Sequence, residues 1–464
     1  MDILIILFSL SFLIFVAYKG YSVILFAPIA ALMAVFLTSP SLVMPFFSGV
    51  FMERMVDFIK LYFAVFLLGA IFGKVIAISG FAKSITAFTI KIFGKRNAIL
   101  AIVVVCAVLT YGGVSLFVVA FAVYPFGAEL FRAADIPKRM LPATIALGAF
   151  TFTMDAFPGS PQIQNIIPTS FFQTDSWAAP WLGLFGGLFI FLAGIIYLHW
   201  RKRKAIENGE GYGNDHINEP VDEIHETLPK PIIAFLPLII VGVLNKALTD
   251  LIPKYYGEQF EFSLFGFNGI DNLEISKLTA IWAVQISLVL GILSVVIFAF
   301  SQIRRNFIAE INTAINGALL ATLNTASEYG FGAVIAALPG FQSVSELISK
   351  TFNNVLVNEA VTITILSGIT GSASGGMSIA LATMHETYLS EALKFGIPNE
   401  VLHRVASMAS GGMDTLPHNG AIITLLVVTG LTHKQSYGDI FVMTGIKTAG
   451  VFFIILLYTV FGIV

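Results

Sequence analysis

The sequence carries little charge and almost no cysteine. Only 12% of its 464 residues are Asp, Glu, Lys or Arg, against roughly 25% in an average soluble chain. Such a chain cannot cover a water-facing surface, which excludes an ordinary soluble enzyme and a disordered protein. The 26 basic residues nearly balance the 28 acidic ones, so no positive field exists to attract a nucleic-acid backbone. A single cysteine, Cys106, allows no intramolecular disulfide and no multi-cysteine metal site. Set in the apolar run AIVVVCAVLT, it reads as an inert buried thiol. There is no G-x-x-x-x-G-K-[ST], no H-E-x-x-H and no G-x-S-x-G, so a nucleotide-driven pump is excluded and catalysis is not expected. No cofactor or metal is expected either. Nor does a signal peptide stand apart from the first apolar run, since Met1-Asp2 supplies no basic leader.

What is present is apolar. The chain is 57% hydrophobic, with 43 Phe and 40 Gly, and its mean hydropathy is +0.87. A membrane helix needs about 20 mostly apolar residues. By that measure spans are predicted near residues 3–18, 22–38, 61–80, 178–199, 231–248, 279–300, 308–340 and 440–463. Four further segments, 98–131, 139–172, 355–393 and 400–430, are interrupted. The polar stretch 201–230 reads as a cytoplasmic linker between a first half, 1–200, and a second half, 231–464. The expected fold is an all-α polytopic membrane protein.

The interruptions are specific: Thr110-Tyr111-Gly112-Gly113-Val114-Ser115, then Thr153-Met154-Asp155-Ala156-Phe157-Pro158-Gly159-Ser160-Pro161, then Gly371-Ser372-Ala373-Ser374-Gly375-Gly376, and finally Ser410 to Gly420 with Met413-Asp414-Thr415-Leu416-Pro417-His418-Asn419 between. Gly and Pro release backbone groups from helices. Bare backbone at membrane depth is tolerated only where it is buried in protein or lines a cavity. Each break is therefore a candidate site. The first and third read as tips of re-entrant hairpins, and the second and fourth as unwound helices.

The halves match in order. Phe72-Gly73-Lys74-Val75-Ile76-Ala77 pairs with Phe331-Gly332-Ala333-Val334-Ile335-Ala336, Gly112-Gly113 with Gly375-Gly376, Ile136-Pro137 with Ile397-Pro398, and Met154-Asp155 with Met413-Asp414. Sixteen basic residues fall inside and eight outside if the 98–131 hairpin opens to the cytoplasm, which agrees with the positive-inside rule. The outside set includes Arg404. Each half then crosses five times, and an odd number inverts the second half. Inverted repeats with matching broken helices point to a secondary transporter whose site lies at the breaks.

At these residues the chain resembles the gluconate permease family of the ion transporter superfamily. The resemblance rests on F-G-K-x-x-A-x-x-G at Phe72–Gly80, on Gly371-Ser372-Ala373 and on the paired Pro-containing breaks. It implies a scaffold plus an elevator-type transport domain, a homodimer, and uptake of a small organic acid driven by an ion gradient, usually of protons, in a bacterial inner membrane. Gluconate-type members carry a His-Pro-Gly-Pro-like turn where this chain has Pro158-Gly159-Ser160-Pro161, and here the histidine stands in the other half, at His418. The chain looks more like members assigned to hydroxybutyrate and other short monocarboxylates.

The candidate substrate-binding residues are Tyr111, Gly112, Gly113, Ser115, Ser160, Asn165, Ser372, Ser374, Gly375, Gly376, Ser378 and Asn419. Gln162, Gln164 and Thr424 offer further hydroxyls and amides. Hydroxyls, amides and half-helix N-termini can hold one carboxylate without a basic side chain. No Arg falls at a break in the sequence, which disfavours di- and tricarboxylates. Asp155, Asp414 and His418 are the ion-coupling candidates, because an intramembrane ionisable group is functional by default. Glu328, Glu129, Lys74 and Lys447 are the other ionisable residues in or near spans, with Lys74 expected to snorkel toward the cytoplasm. Proton-coupled symport of a hydroxy monocarboxylate, or of a gluconate-like sugar acid, is the leading reading. Sodium coupling and a passive anion channel are the alternatives.

Overall fold

The computed structural model describes residues 2–19, 21–94, 97–114, 116–214, 216, 219, 228–267, 269, 271–304, 307–341, 354–417 and 419–464. Among the described residues nearly all regular structure is helical, as the apolar runs predict. The exception is a two-stranded pair, Gln259–Phe260 with Leu273–Glu274. Among the described residues five helices are long and apolar enough to cross a membrane, and apolar side chains such as Ile297 on one of them are largely exposed. The protein is a polytopic membrane protein.

The first half runs α1 (Asp2–Tyr18), α2 (Val23–Thr38), α3 (Val43–Phe46), α4 (Glu53–Ile78), α5 (Phe81–Phe93), α6 (Ala98–Tyr111), α7 (Leu116–Ala133), α8 (Leu141–Ala149), α9 (Phe152–Asp155), α10 (Ile163–Phe172) and α11 (Pro180–Glu207). The second runs α12 (Pro231–Tyr256), α13 (Ile275–Ile303), α14 (Phe307–Ala337), α15 (Val355–Thr370), α16 (Ala373–Phe395), α17 (Asn399–Ser410), α18 (Gly420–Thr429) and α19 (His433–Phe461). The order recurs: a helix pair, a long helix, a hairpin (α6–α7, then α15–α16), a broken helix (α8–α10, then α17–α18) and a closing helix. Packing crosses between the halves, with α2 against α14 and α13 against α4. Arg201–Lys204 continue α11 as helix. The amphipathic α5 was not predicted as a span, since its Lys83, Ser84, Thr86, Thr89 and Lys91 dilute its apolar face.

The two unwound helices, the breaks at 153–161 and 410–420, are explained by where their backbone groups go. In the first, Thr151 Oγ1 donates to Leu147 O (2.5 Å) and Thr153 Oγ1 to Gly148 O (2.8 Å), taking carbonyls that α8 leaves open. In the second, Thr364 Oγ1 donates to Ala409 O (3.1 Å), Thr448 Oγ1 to Gly412 O (3.0 Å) and Tyr437 Oη to Thr415 O (3.1 Å). Inside a membrane each such carbonyl would otherwise cost the full desolvation penalty of an unmade bond. Polar residues that look misplaced in an apolar chain thus make its irregular segments possible.

Candidate functional site

Both hairpin tips and both breaks line one cavity of about 720 Å³. Its walls include Gly113 and Leu116 of the first tip, Gly371 to Ser374 of the second, Pro161 to Gln164 of the first break, and Asp414, Thr415 and Asn419 to Ala421 of the second. The opposite wall is helical, with Gly69 and Lys74 of α4 and Ala321, Asn324 and Thr325 of α14.

Four helices therefore begin at this cavity: α7 at Leu116, α10 at Ile163, α16 at Ala373 and α18 at Gly420. Each N-terminus presents first-turn N–H groups that have no partner within the helix, and a partial positive charge of roughly half a unit. Ser372 Oγ already caps Gly375 N (3.0 Å). Asn419 Oδ1 caps Ala421 N (2.6 Å) and Ile422 N (3.2 Å). Lys74 is the one basic side chain among the described lining residues, and it pairs with Glu310 Oε2 at 2.7 Å. Ser374 Oγ lies 3.3 Å from Thr325 Oγ1 and 3.4 Å from Ser372 Oγ. Gln164, also in the lining, keeps a buried Oε1 with no partner. The arrangement is suited to an anion that also carries hydroxyl groups.

The predicted residues divide between the cavity and its support. Gly113, Ser372, Ser374, Asn419 and Asp414 line the cavity. Gly113 turns the first tip with φ +95°, where a side chain would be strained. Gln162 and Gln164 line it as well, while most of the other described ones sit behind the wall. Tyr111 Oη donates to Pro158 O (2.8 Å), and Ser160 Oγ donates to Thr153 O (2.8 Å). Asn165 Nδ2 donates to Ser160 O (2.9 Å) and Ser176 O (2.8 Å). Gly112 lies under Leu238, and Gly376 lies on the Ser367 backbone, so neither position has room for a Cβ. Ser378 is buried with an unpartnered hydroxyl. Thr424 bonds back to Gly420 O (2.8 Å), and Glu129 is exposed. Ser115 and His418 lie outside the described residues.

The acidic candidates differ in their partners. Lys447 of α19 pairs with Asp414 and also donates to Phe150 O (3.2 Å), which bridges the two breaks. Asp155 is 1% exposed, and neither of its carboxylate oxygens has a partner. It abuts Gly411, where a Cβ would overlap Oδ2.

Four residues take places other than the sequence suggests. Arg404 is not at the outer face: it is fully buried, and an arginine does reach a break. Its Nη1 donates to Asn165 Oδ1 (3.0 Å) and Asp155 O (3.4 Å), and its Nη2 to Ala178 O (2.7 Å). It fastens the loop and does not line the cavity. Its neighbour His403 is also buried, accepting from Thr174 Oγ1 at Nδ1 (2.6 Å) and donating from Nε2 to Asn165 Oδ1 (3.3 Å). Glu359 of α15 is fully buried with both oxygens unpartnered. An acidic residue inside the apolar run of 355–370 was the available signal. Lys74, finally, points into the cavity wall and not only toward a membrane surface.

No family model matches the chain. The fold is similar to that of a solved structure, the Alcanivorax borkumensis YdaH transporter. That match has a TM-score of 0.55 and 14% identity, and covers 89% of this chain and 88% of the other. The uncharacterized transporter YxjC of Bacillus subtilis (strain 168) is 58% identical over 472 residues, covering 100% of both chains. At that identity and coverage, this chain belongs to the same family of transporters as YxjC.

Proposed function

We propose that the protein is a proton-coupled symporter that takes up a short hydroxy monocarboxylate, of which 3-hydroxybutyrate is the representative, as a relative of the gluconate permeases in a bacterial inner membrane. The observation that carries this reading is the meeting of four helix N-termini, with Lys74, at one cavity. They supply positive potential for one carboxylate, while Ser372, Ser374 and Gln164 supply partners for a hydroxyl. A second carboxylate would have only Lys74 to face, and Lys74 is already shared with Glu310. The recurring element order supports two inverted repeats, with α4 and α14 belonging to a scaffold past which the hairpins move. A homodimer is the expected assembly. The Asp155, Asp414 and Lys447 cluster joins the two breaks and is the proposed coupling centre.

The test is uptake into proteoliposomes from a panel of 3-hydroxybutyrate, lactate, acetoacetate, gluconate and succinate, under imposed proton or sodium gradients. Accumulation of 3-hydroxybutyrate driven by a proton gradient alone is the expected result. Dependence on sodium at fixed pH overturns the coupling. Competition by gluconate without 3-hydroxybutyrate transport overturns the substrate, and equilibration without accumulation indicates a channel.

A further inference from the structure

The two hairpin tips are not chemically equivalent. Glu328 lies on α14 one turn beyond the cavity-lining Thr325, is 4% exposed, and has an Oε2 without a partner. It is aimed at the first turn of α16, where a Cβ on Gly375 would overlap that oxygen. In the register that pairs Phe72 with Phe331, the position of Glu328 in the first half is Gly69, which is open to the cavity. The second tip thus has a buried carboxylate where the first has empty space.

No cation among the described residues is placed to pair with it. On α4, Lys74 is bound to Glu310 and Arg54 lies against Asp57 (3.7 Å). Glu53 and Lys60 stand on the same stretch of α4, whose Phe58 packs on Tyr329 beside Glu328, but no ion pair joins Lys60 or Arg54 to Glu328 among the described residues, and Tyr62 donates to Ile167 O (3.1 Å). On α16, His385 Nδ1 bonds Leu381 O (2.7 Å), while Tyr388, Glu386, Glu391 and Lys394 lie farther from the tip. On α15, Glu359 lies about three turns before the tip. Neither α2 nor the π-helical turn Phe47–Met52, which also pack on α14, contains an ionisable residue.

We propose that Glu328 and the first turn of α16 form a proton-binding site, separate from the Asp155, Asp414 and Lys447 cluster, whose occupancy seats the α15–α16 hairpin on α14. It rests on the reading of the cavity as an ion-coupled anion site and adds a control to it. With its proton, the neutral carboxyl is far less costly to bury than the anion. Without it, an unpaired anion inside a membrane protein requires water or new donors, which the cavity supplies once the hairpin lifts away from Glu328. The Ser374 and Thr325 hydroxyls, 3.3 Å apart, lie between this site and the cavity water.

Two measurements on the full-length protein decide it. Infrared titration in lipid is expected to show a protonated-carboxyl band in the wild type that is missing in Glu328→Gln; identical spectra across the pH range overturn the site. Glu328→Leu serves in the same way if the Gln variant does not fold. The second is exchange of 3-hydroxybutyrate in proteoliposomes with equal substrate and pH on both sides. Wild-type exchange should fall by up to about tenfold per pH unit on the alkaline side, the slope of one titrating group. Glu328→Gln should stay level, and an equally steep fall in that variant overturns the gating role. If neither protein exchanges any acid of the panel, the substrate reading has failed, and the infrared result alone still decides Glu328.

Discussion

Gln162 and Asn419 hold the same place in the two halves of the chain. Each is the residue before the second part of a broken helix, α10 or α18. Each side-chain amide donates to a carbonyl at the hairpin tip of its own half. Gln162 Nε2 reaches Thr110 O (2.7 Å) and Val114 O (3.3 Å), and Asn419 Nδ2 reaches Gly371 O (2.6 Å). The hairpins are thereby tied to the breaks and both are held at the cavity. Asn419 also caps its own helix, whereas the Gln162 side chain makes no cap.

That difference orders two substitutions. Gln162→Ala removes the donor from buried tip carbonyls, at about 1–3 kcal/mol. Asn419→Ala removes an equivalent bond and also a helix cap worth about 1 kcal/mol. The Asn419 variant should therefore have the lower thermal midpoint of the two in detergent and the greater loss of uptake. Equal midpoints would show that the cap contributes nothing at this position.

Asp414 and Lys447 form a buried pair. Removing one partner leaves an uncompensated charge, at about 3–5 kcal/mol, whereas replacing both is often nearly neutral. Asp414→Asn should lower the thermal midpoint sharply, and adding Lys447→Met should restore most of it. The double variant should remain inactive in gradient-driven uptake despite its recovered stability. A single variant that retained full accumulation would remove Asp414 from the coupling centre.

Asp155 has no partner to lose, so Asp155→Asn should fold almost normally. The proposed coupling role is read by separating two modes. Exchange of substrate with no gradient should persist, while accumulation driven by a proton gradient should disappear. Loss of both modes together would instead assign Asp155 to positioning the first break through its contact with Gly411. Gly411→Ala, which intrudes on the carboxylate, should impair both modes.

The helices and their breaks were legible because each depends on local chemistry: apolar runs of span length, and Gly or Pro where the backbone must leave the helix. The convergence of Gly113, Ser372, Ser374, Asp414 and Asn419 was legible through the matched order of the halves. Arg404 was not. In sequence it follows Ile397-Pro398 closely and reads as a residue at a membrane surface. Its burial comes from α17 packing on α10, a long-range contact that no local pattern encodes. Tyr111, Ser160 and Asn165 stand at breaks as expected, yet their polar groups are spent on neighbouring carbonyls. Sequence supplies a hydroxyl or amide but not the direction in which it points.

Lys74 separates attraction of the substrate from its binding geometry. It lines the cavity and is one-quarter exposed, paired with Glu310. Lys74→Met keeps the apolar stem and removes the charge. For a monovalent acid this should raise KM by about tenfold, corresponding to about 1.4 kcal/mol, with a smaller effect on the maximal rate. Glu310→Gln should act in the opposite direction, because it frees Lys74 for the substrate. A rise in KM for both variants would mean that the pair shapes the α4–α14 wall and does not contribute potential.

Outside the membrane-spanning helices, Glu210 links stability to pH. Arg139 Nε and Nη2 donate to both oxygens of Glu210 (2.5 and 2.8 Å), and Arg139 Nη1 reaches Asp439 (3.0 Å), tying the end of the linker-proximal helix to α19. The hydrogen bond from Arg139 holds the Glu210 carboxyl below its ordinary value of 4.5. A depressed carboxyl stabilises the fold above the unfolded value, and that contribution is lost as pH falls through the depressed one. Glu210 is 38% exposed, so solvent screening limits the contribution to about 1 kcal/mol or less. Glu210→Gln should therefore lower the thermal midpoint slightly at neutral pH. The difference from the wild type should shrink as the pH falls through the depressed carboxyl value and vanish below it. High salt should shrink it at neutral pH as well. A difference that persisted in acid would show that Glu210 stabilises the linker by packing and not by charge.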